Sequence, residues 1–132
     1  MLKIADFGSF RMFEKDQDML YMSRHGTGAY MAPELSERRC KHDGKPADIW
    51  SMGVTLFLMW NGELPFMTMR ATNMDQLDYH SRAGFKHETP ELLKTLLDKL
   101  LELDPTKRIT MDQLRVSLPS LPVKELQKSM MI

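Results

Sequence analysis

The longest apolar stretch of the chain reads Ala47-Asp48-Ile49-Trp50-Ser51-Met52-Gly53-Val54-Thr55-Leu56-Phe57-Leu58-Met59-Trp60. Ten of these fourteen residues are apolar, and Asn61-Gly62 and Pro65 follow directly. The stretch is too short to cross a bilayer, which needs about 20 residues as a helix. It predicts instead a helix buried on nearly all sides, ended by Gly62 in the left-handed conformation.

The composition around this helix is that of one globular domain. Of 132 residues 42% are hydrophobic, and 18 Lys and Arg balance 18 Asp and Glu. A chain of this size can bury a core and is too apolar for a disordered tail. Zero net charge provides no general attraction for nucleic acid or anionic lipid, so neither is expected as a partner. The single cysteine, Cys40, and the lack of a leader-like start favour a reducing, cytoplasmic location.

Downstream of the apolar stretch the pattern predicts two more helices. Thr89-Pro90-Glu91 begins the first, and its leucine stripe continues to Leu103, where Asp104-Pro105 ends it. Thr110-Met111-Asp112-Gln113 has the form of a capping box and begins a last helix, which runs through Leu118.

Upstream, regular structure is sparse. Leu2 to Ala5 alternates like a short strand that enters a turn, and Ser9 to Gly28 shows no period and is expected to be a loop. Ala32 to Leu35 can begin a short helix with Pro33 in its first turn, and a weak helix is expected from Thr72 to Tyr79. The fold class is therefore mainly α, with a short β-strand fragment at the N-terminus.

Four motifs stand in a fixed order along the chain. They are Ile4-Ala5-Asp6-Phe7-Gly8, then Gly26-Thr27-Gly28-Ala29-Tyr30-Met31-Ala32-Pro33-Glu34, then Asp48-Ile49-Trp50-Ser51-Met52-Gly53-Val54, and Leu103-Asp104-Pro105-Thr106-Lys107-Arg108-Ile109-Thr110. In this order the chain resembles the C-terminal lobe of a eukaryotic protein kinase domain, and it is most similar to the calcium/calmodulin-dependent protein kinase kinases. The resemblance implies a partial kinase domain over residues 1–118, with an activation segment at 6–34, a helical lobe at 35–118 and a short tail at 119–132.

The resemblance implies that the first motif helps to bind the metal ion and phosphates of ATP. Asp6 matches the aspartate that binds the Mg²⁺ bridging the ATP phosphates, a role that suits a hard oxygen ligand. Phe7 is expected to pack inward, and Gly8 to let the backbone swing. The alternative is an ordinary Asp-containing turn that closes a strand.

The second motif resembles the segment that receives the substrate next to its acceptor residue. Residues 26–30 have the form Gly-Thr-x-x-Tyr, which includes Thr27. This form resembles the corresponding segment of Ser/Thr kinases rather than that of tyrosine kinases. Ser23 falls near the usual regulatory phosphorylation position, although a solvated loop serine is the alternative, and Tyr21 is a weaker candidate. Gly26-Thr27-Gly28 does not form an ATP loop, because Met31 stands where a third glycine would be required.

The remaining assignments are structural. Glu34 and Arg108 match a buried ion pair that anchors the activation segment to the helical lobe. Asp48 is expected to accept hydrogen bonds from backbone amides of a catalytic loop. Trp50 and Gly53 are expected to let neighbouring segments pack against the central helix.

Several parts of a kinase have no counterpart in the 132 residues. The sequence contains no Gly-rich nucleotide cover, no strand lysine, and no His-Arg-Asp-like triplet followed by Asn, so no catalytic base is present. The resemblance implies that the parent domain uses Mg²⁺ and ATP on protein Ser or Thr. Because these parts are missing, this chain alone is expected to be inactive. Two alternatives remain open: a noncatalytic protein-binding module, or a small helical domain in which the motifs occur by chance.

The sequence favours neither a zinc site nor a calmodulin target. Cys40 and the four histidines lack a second ligand pair at suitable spacing, which argues against zinc. A calmodulin target in the tail is possible for this group of kinases, but residues 122–132 form a short and weakly basic stripe, which favours a frayed terminal turn.

Overall fold

The computed structural model describes residues 3, 5–10, 12, 20–21, 27–36, 41–66, 85 and 88–117. Three α-helices, three 3-10 helices and one pair of short strands occur among these residues. The predicted mainly α fold class is confirmed. Within the described ranges, no helix combines the length and apolar character needed to cross a membrane.

Helix α1 spans Gly44–Asn61 and contains the apolar stretch that predicted it. The Asp43 carboxylate caps its first turn by accepting a hydrogen bond from the Lys45 N–H at 2.9 Å. At the other end, Gly62 adopts φ 73° and donates its N–H to the Leu58 carbonyl at 2.8 Å. A side chain at that φ would be strained, so the predicted glycine stop is confirmed.

One side of α1 is exposed, which differs from the prediction that the helix is buried on nearly all sides. Asp48, Met52, Thr55 and Met59 are exposed and follow one another at helical spacing, with Met52 43% and Met59 62% exposed. On the other sides the predicted burial is confirmed, because Trp50, Val54 and Phe57 are fully buried. Composition alone cannot show which neighbours are present to cover a given side.

Helix α2 spans Glu91–Leu100, three residues shorter than the leucine pattern predicted. Beyond Leu101 the backbone turns, and the Asp104 N–H bonds to the Glu102 carboxylate at 3.0 Å. Side chains that bond to nearby backbone in this way compete with helix continuation. Leu93, Leu96, Leu97 and Leu100 form the buried face of α2.

Helix α3 spans Met111–Ser117 and begins with the predicted capping box. The Thr110 N–H donates to the Gln113 side-chain oxygen at 2.9 Å, and the Gln113 N–H donates to the Thr110 hydroxyl at 3.3 Å. Both otherwise free donors of the helix start are therefore satisfied.

The core lies between α1 and α2 and continues to α3. Its larger cluster surrounds Trp50, Phe57 and Leu97, and a second cluster joins Ile49, Leu96, Leu100, Ile109 and Leu114. At the far end of α1, the Trp60 indole N–H donates to the buried Thr89 hydroxyl at 2.8 Å. This bond fixes the end of α1 against the start of α2.

The short strands lie away from the predicted one. Strand β1, Leu20–Tyr21, pairs antiparallel with β2, Lys41–His42. Of the predicted strand at residues 2–5, Lys3 and Ala5 lie in neither helix nor strand, and Leu2 and Ile4 are outside the described residues. The predicted helix from Thr72 to Tyr79 also lies outside them, as do residues 119–132.

Candidate functional site

The structure brings Glu34 and Arg108 together across 74 positions of sequence. Glu34 lies on the short 3-10 helix Pro33–Ser36, which Pro33 helps to begin, and Arg108 lies in the loop between α2 and α3. The guanidinium bonds both carboxylate oxygens, Nη1 to Oε1 at 2.7 Å and Nη2 to Oε2 at 3.0 Å. The side chain of Arg108 is 0% exposed and that of Glu34 12% exposed, so this is a buried, bidentate ion pair.

Arg108 also bonds the backbone on two further sides. Its Nε donates to the Glu102 carbonyl at 2.9 Å, and its Nη1 donates to the Pro46 carbonyl at 2.8 Å. A buried cation is tolerable only when its donors are satisfied, and here carbonyl and carboxylate oxygens surround it. Arg108 thus connects the Glu34 turn, the first turn of α1 and the loop after α2.

The ring of Trp50 lies against the guanidinium group of Arg108. The guanidinium carbon of Arg108 lies 5.1 Å from its ring centre, and Phe66 stacks near-parallel at 5.5 Å. Among the described residues, the buried Trp50 Nε1 has no hydrogen-bond acceptor. The indole is therefore held by ring contacts rather than by a hydrogen bond.

The segment before Glu34 is attached to α1. The 3-10 helix Gly28–Tyr30 precedes the fully buried Ala32, and the Ser51 hydroxyl donates to the Tyr30 carbonyl at 2.8 Å. Thr27 lies at the start of this helix, is exposed, and makes no capping hydrogen bond with its hydroxyl. The segment therefore presents Thr27 at the surface from a backbone fixed by α1.

The Asp6 turn is compact and exposed. Asp6 adopts the left-handed conformation, φ 63° and ψ 78°, and its Oδ1 accepts a hydrogen bond from the Gly8 N–H at 3.3 Å. Phe7, expected to pack inward, is 66% exposed and makes an edge contact with Phe10. The described residues do not enclose its ring.

Asp6 fits a magnesium site only as one ligand among several. No described residue donates a hydrogen bond to its second carboxylate oxygen, and Mg²⁺ commonly takes one or two carboxylates with phosphate oxygens and water. The described residues contain no cluster of three or more carboxylate, histidine or cysteine side chains that would complete a metal site.

Asp48 and Gly53 both lie on α1 but have different surroundings. The Asp48 carboxylate lines a cavity, and partial burial there raises its pKa above the usual range of a carboxyl group. A Cβ atom at Gly53 would lie 2.8 Å from Leu100 Cβ and 2.9 Å from Leu101 Cδ2, so glycine permits the close approach of the α2 end. Ser23, Gly26 and Cys40 lie outside the described residues.

Two contacts of the site were not predicted from the sequence. One is the Ser51–Tyr30 bond, and the other is the Pro46 carbonyl as an acceptor for Arg108. A polar residue inside an apolar helix, such as Ser51, was an available signal for the first. The second has no sequence signal, because any residue offers a carbonyl.

The chain is similar to known proteins over most of its length. The model of the protein kinase domain family matches residues 1–117. Calcium/calmodulin-dependent protein kinase kinase cmkC of Emericella nidulans is 41% identical over 118 residues, 87% of this chain and 22% of that protein. CBL-interacting protein kinase 26 of Oryza sativa is 40% identical over 121 residues, 88% of this chain and 24% of that protein.

A third relative is more distant. Serine/threonine-protein kinase PKH2 of Candida albicans is 33% identical over 129 residues, 86% of this chain and 13% of that protein. The chain thus spans a quarter or less of the length of these three relatives. The family resemblance predicted from the four motifs is confirmed, and the predicted group of calcium/calmodulin-dependent protein kinase kinases is represented among the relatives.

Proposed function

Because this chain belongs to the protein kinase domain family, we propose that it is part of a domain that transfers the γ-phosphoryl group of ATP to Ser or Thr of a protein. The observation that carries the proposal is the buried Glu34–Arg108 pair. It fixes the segment from Thr27 to Glu34 on the helices, so that Thr27 lies at the surface where a protein substrate can reach it. A cytoplasmic location, where ATP is available, is part of the same proposal.

Within this proposal Asp6 is a ligand of Mg²⁺. Asp6 would hold the ion, which would supply positive charge beside the phosphates of ATP. The turn at Phe7–Ser9 holds the Asp6 backbone, and Gly8 satisfies one carboxylate oxygen, which leaves the other for the cation. Ser23 remains a candidate for regulatory phosphorylation.

The 132 residues by themselves are proposed to be inactive. Phosphoryl transfer depends on positioning and on electrostatic stabilisation by several groups together. The sequence provides the Asp6 carboxylate without a catalytic base, an ATP-binding lysine or a second metal ligand. Losing these groups removes many powers of ten in rate.

An assay of phosphate incorporation tests both parts. The purified chain is incubated with Mg²⁺, ATP and generic Ser/Thr peptides, beside the Asp6→Ala variant, and neither is expected to incorporate phosphate. Incorporation by the chain that Asp6→Ala abolishes would show that these residues suffice for catalysis. If the coding sequence continues in frame upstream to a catalytic-loop motif, the longer domain is expected to be active and its Asp6→Ala variant inactive.

The second candidate function is a noncatalytic protein-binding module. It is favoured by the open side of α1, where Met52 and Met59 are exposed, and by the cavity beside Asp48. The upstream reading frame separates the two candidates, because a genuine short product would lack an in-frame catalytic loop. A calmodulin target in residues 119–132 would lie outside the described residues and is not needed for either candidate.

A further inference from the structure

Ser51 is a polar residue on the mainly apolar helix α1, and its hydroxyl contacts two carbonyl groups. The hydroxyl oxygen lies 2.8 Å from the Tyr30 carbonyl oxygen and 3.1 Å from the carbonyl oxygen of Ala47, one turn earlier on α1. A serine inside a helix commonly donates to the carbonyl four positions earlier, so the Ala47 contact is local. The shorter contact to Tyr30 joins α1 to a different element and is not explained by helix structure.

The Tyr30 carbonyl is a group that its own element cannot satisfy. Tyr30 ends the 3-10 helix Gly28–Tyr30, in which the Tyr30 N–H donates to the Thr27 carbonyl at 3.0 Å. The last carbonyls of a helix have no donor within that helix. The Ser51 hydroxyl provides this donor from α1 and so fixes the end of the 3-10 helix.

This bond is the polar attachment of residues 27–31 to the rest of the described fold. Within the described ranges, Ser51 is the one residue of another element that donates a hydrogen bond to this segment. The Glu34–Arg108 pair holds the chain further along, after the buried Ala32. Thr27 and Gly28 are exposed, so the place of this exposed end depends directly on the Ser51 bond.

We propose that Ser51 is a positioning residue for the protein substrate: by holding the Tyr30 carbonyl, it sets where residues 27–30 meet the substrate residue next to the phosphate acceptor. The inference rests on the proposed kinase function and adds to it a residue that governs substrate selectivity. Ser51 is half-buried on α1 and acts through the backbone of the 3-10 helix.

The proposal predicts what happens when the hydroxyl is removed. A partly buried carbonyl without a donor is unfavourable, so the Tyr30 backbone is expected to turn toward water and to carry the exposed end of the segment with it. Small displacements of a substrate-positioning group can lower the rate by up to about a hundredfold. Binding of ATP does not involve this segment and is expected to be unaffected.

Steady-state kinetics of the longer kinase domain test the proposal. Ser51→Ala removes the hydroxyl, and Ser51→Thr keeps a hydroxyl that can occupy the same position in a helix. The matched control is Thr95→Ala, because the Thr95 hydroxyl donates to the Glu91 carbonyl at 3.0 Å within α2 and is exposed. Thermal melts show whether each variant is folded, and Ser51→Cys, a weak donor of similar shape, provides a second reading if Ser51→Ala does not fold.

The expected signature is a split between the two substrates. With Ser51→Ala the KM for a Ser/Thr peptide should rise about five- to tenfold, while the KM for ATP stays within about twofold of the wild-type value. The preference among peptides that differ only at the residue next to the acceptor should weaken. Ser51→Thr and Thr95→Ala should keep wild-type values. A loss of folded protein alone would lower the apparent kcat and leave the peptide KM unchanged.

Four outcomes would overturn the proposal: an unchanged peptide KM in Ser51→Ala, an equal rise in Thr95→Ala, a Ser51→Thr variant as impaired as Ser51→Ala, or a wild-type domain indifferent to the residue next to the acceptor. An absent or inactive longer domain would instead contradict the proposed kinase function. Failure of this inference and failure of the proposed function therefore give different results.

Discussion

At the scale of single side chains, Arg108 and Glu34 form a buried, bidentate ion pair that joins distant parts of the described fold. Removing either partner leaves a buried charge without its counter-ion, which costs about 3–5 kcal/mol. We therefore expect Arg108→Ala and Glu34→Ala each to lower the unfolding free energy by about that amount, and the double variant to cost less than the sum. Because the 132-residue chain by itself is expected to be marginally stable, the three values are measured in the longer kinase domain, by urea titrations followed by tryptophan fluorescence.

The matched control is Lys107→Ala, which breaks an exposed pair between Lys107 and Asp104 at 3.4 Å. Such surface pairs contribute about 0–1 kcal/mol. Additive losses at Glu34 and Arg108 that are no larger than the loss from this control would show that the two charges do not meet in solution.

Asp48 gives a prediction of the opposite sign for its charge: part of the side chain is exposed, but the cavity wall partly desolvates its carboxyl group and raises the pKa of that group in the folded chain. The folded state then prefers the protonated form, so the contribution of Asp48 to stability is complete below the ordinary carboxyl pKa and is lost as the pH rises through the raised one. Asp48→Asn should therefore stabilise the chain at neutral pH, and the difference should vanish in acid. Asp104→Asn is expected to behave in the opposite way. Hydrogen bonds from the Thr106 hydroxyl and N–H lower the pKa of Asp104, so the contribution of the Asp104 carboxylate to stability is lost as the pH falls.

Thermal melts of both variants across acidic and neutral pH make the comparison. A destabilising Asp48→Asn at neutral pH would show that the ionised carboxylate has a stabilising partner in solution.

At the scale of elements, the packing of α1 on α2 depends on Gly53. Alanine there gains about 1 kcal/mol of helix propensity. It also places a Cβ atom 2.8 Å from Leu100 Cβ, an atom close to the backbone of α2 that cannot move independently. Overpacking of this kind costs about 1–3 kcal/mol, so Gly53→Ala is expected to destabilise the chain.

Thr55→Ala, on the exposed side of the same helix, gains propensity without a clash and is expected to be near neutral. Differential scanning fluorimetry can compare the two variants. A stabilising Gly53→Ala would mean that the two helices lie farther apart than the structure has them.

Elements with a strong local signal were predictable from the sequence, and those that depend on distant partners were not. The Gly62 stop and the Thr110–Gln113 capping box involve residues within a few positions of each other, so the sequence contains the whole interaction. Strand β1 pairs with a segment about 20 residues away, and a strand of two residues is too short to show the alternating hydrophobic pattern that predicts a strand. The Glu34–Arg108 pair was expected only because the motifs resemble a known family, since nothing local relates residues 74 positions apart.

At the scale of the whole molecule, the described residues leave much apolar surface uncovered. Phe7 is 66%, Phe10 59%, Met52 43% and Met59 62% exposed. Full burial of a large apolar side chain contributes about 1.5–3 kcal/mol, so four side chains that are each about half exposed leave about 3–7 kcal/mol unrealised. The total stability of a domain is about 5–15 kcal/mol, so this loss is of the same size.

The purified 132-residue chain is therefore expected to be marginally stable, to bind a hydrophobic dye at temperatures below its melt, and to associate as its concentration rises. Dye fluorescence, sedimentation velocity and melts over a range of protein concentrations measure these properties. Phe7→Ser together with Phe10→Ser should reduce dye binding with little loss of secondary structure, because both rings are exposed and contact each other. A sharp, reversible melt of a monomer, independent of concentration and without dye binding, would contradict this expectation, and it would favour the self-sufficient binding module over the kinase part, because such a chain would need no further segment to cover α1.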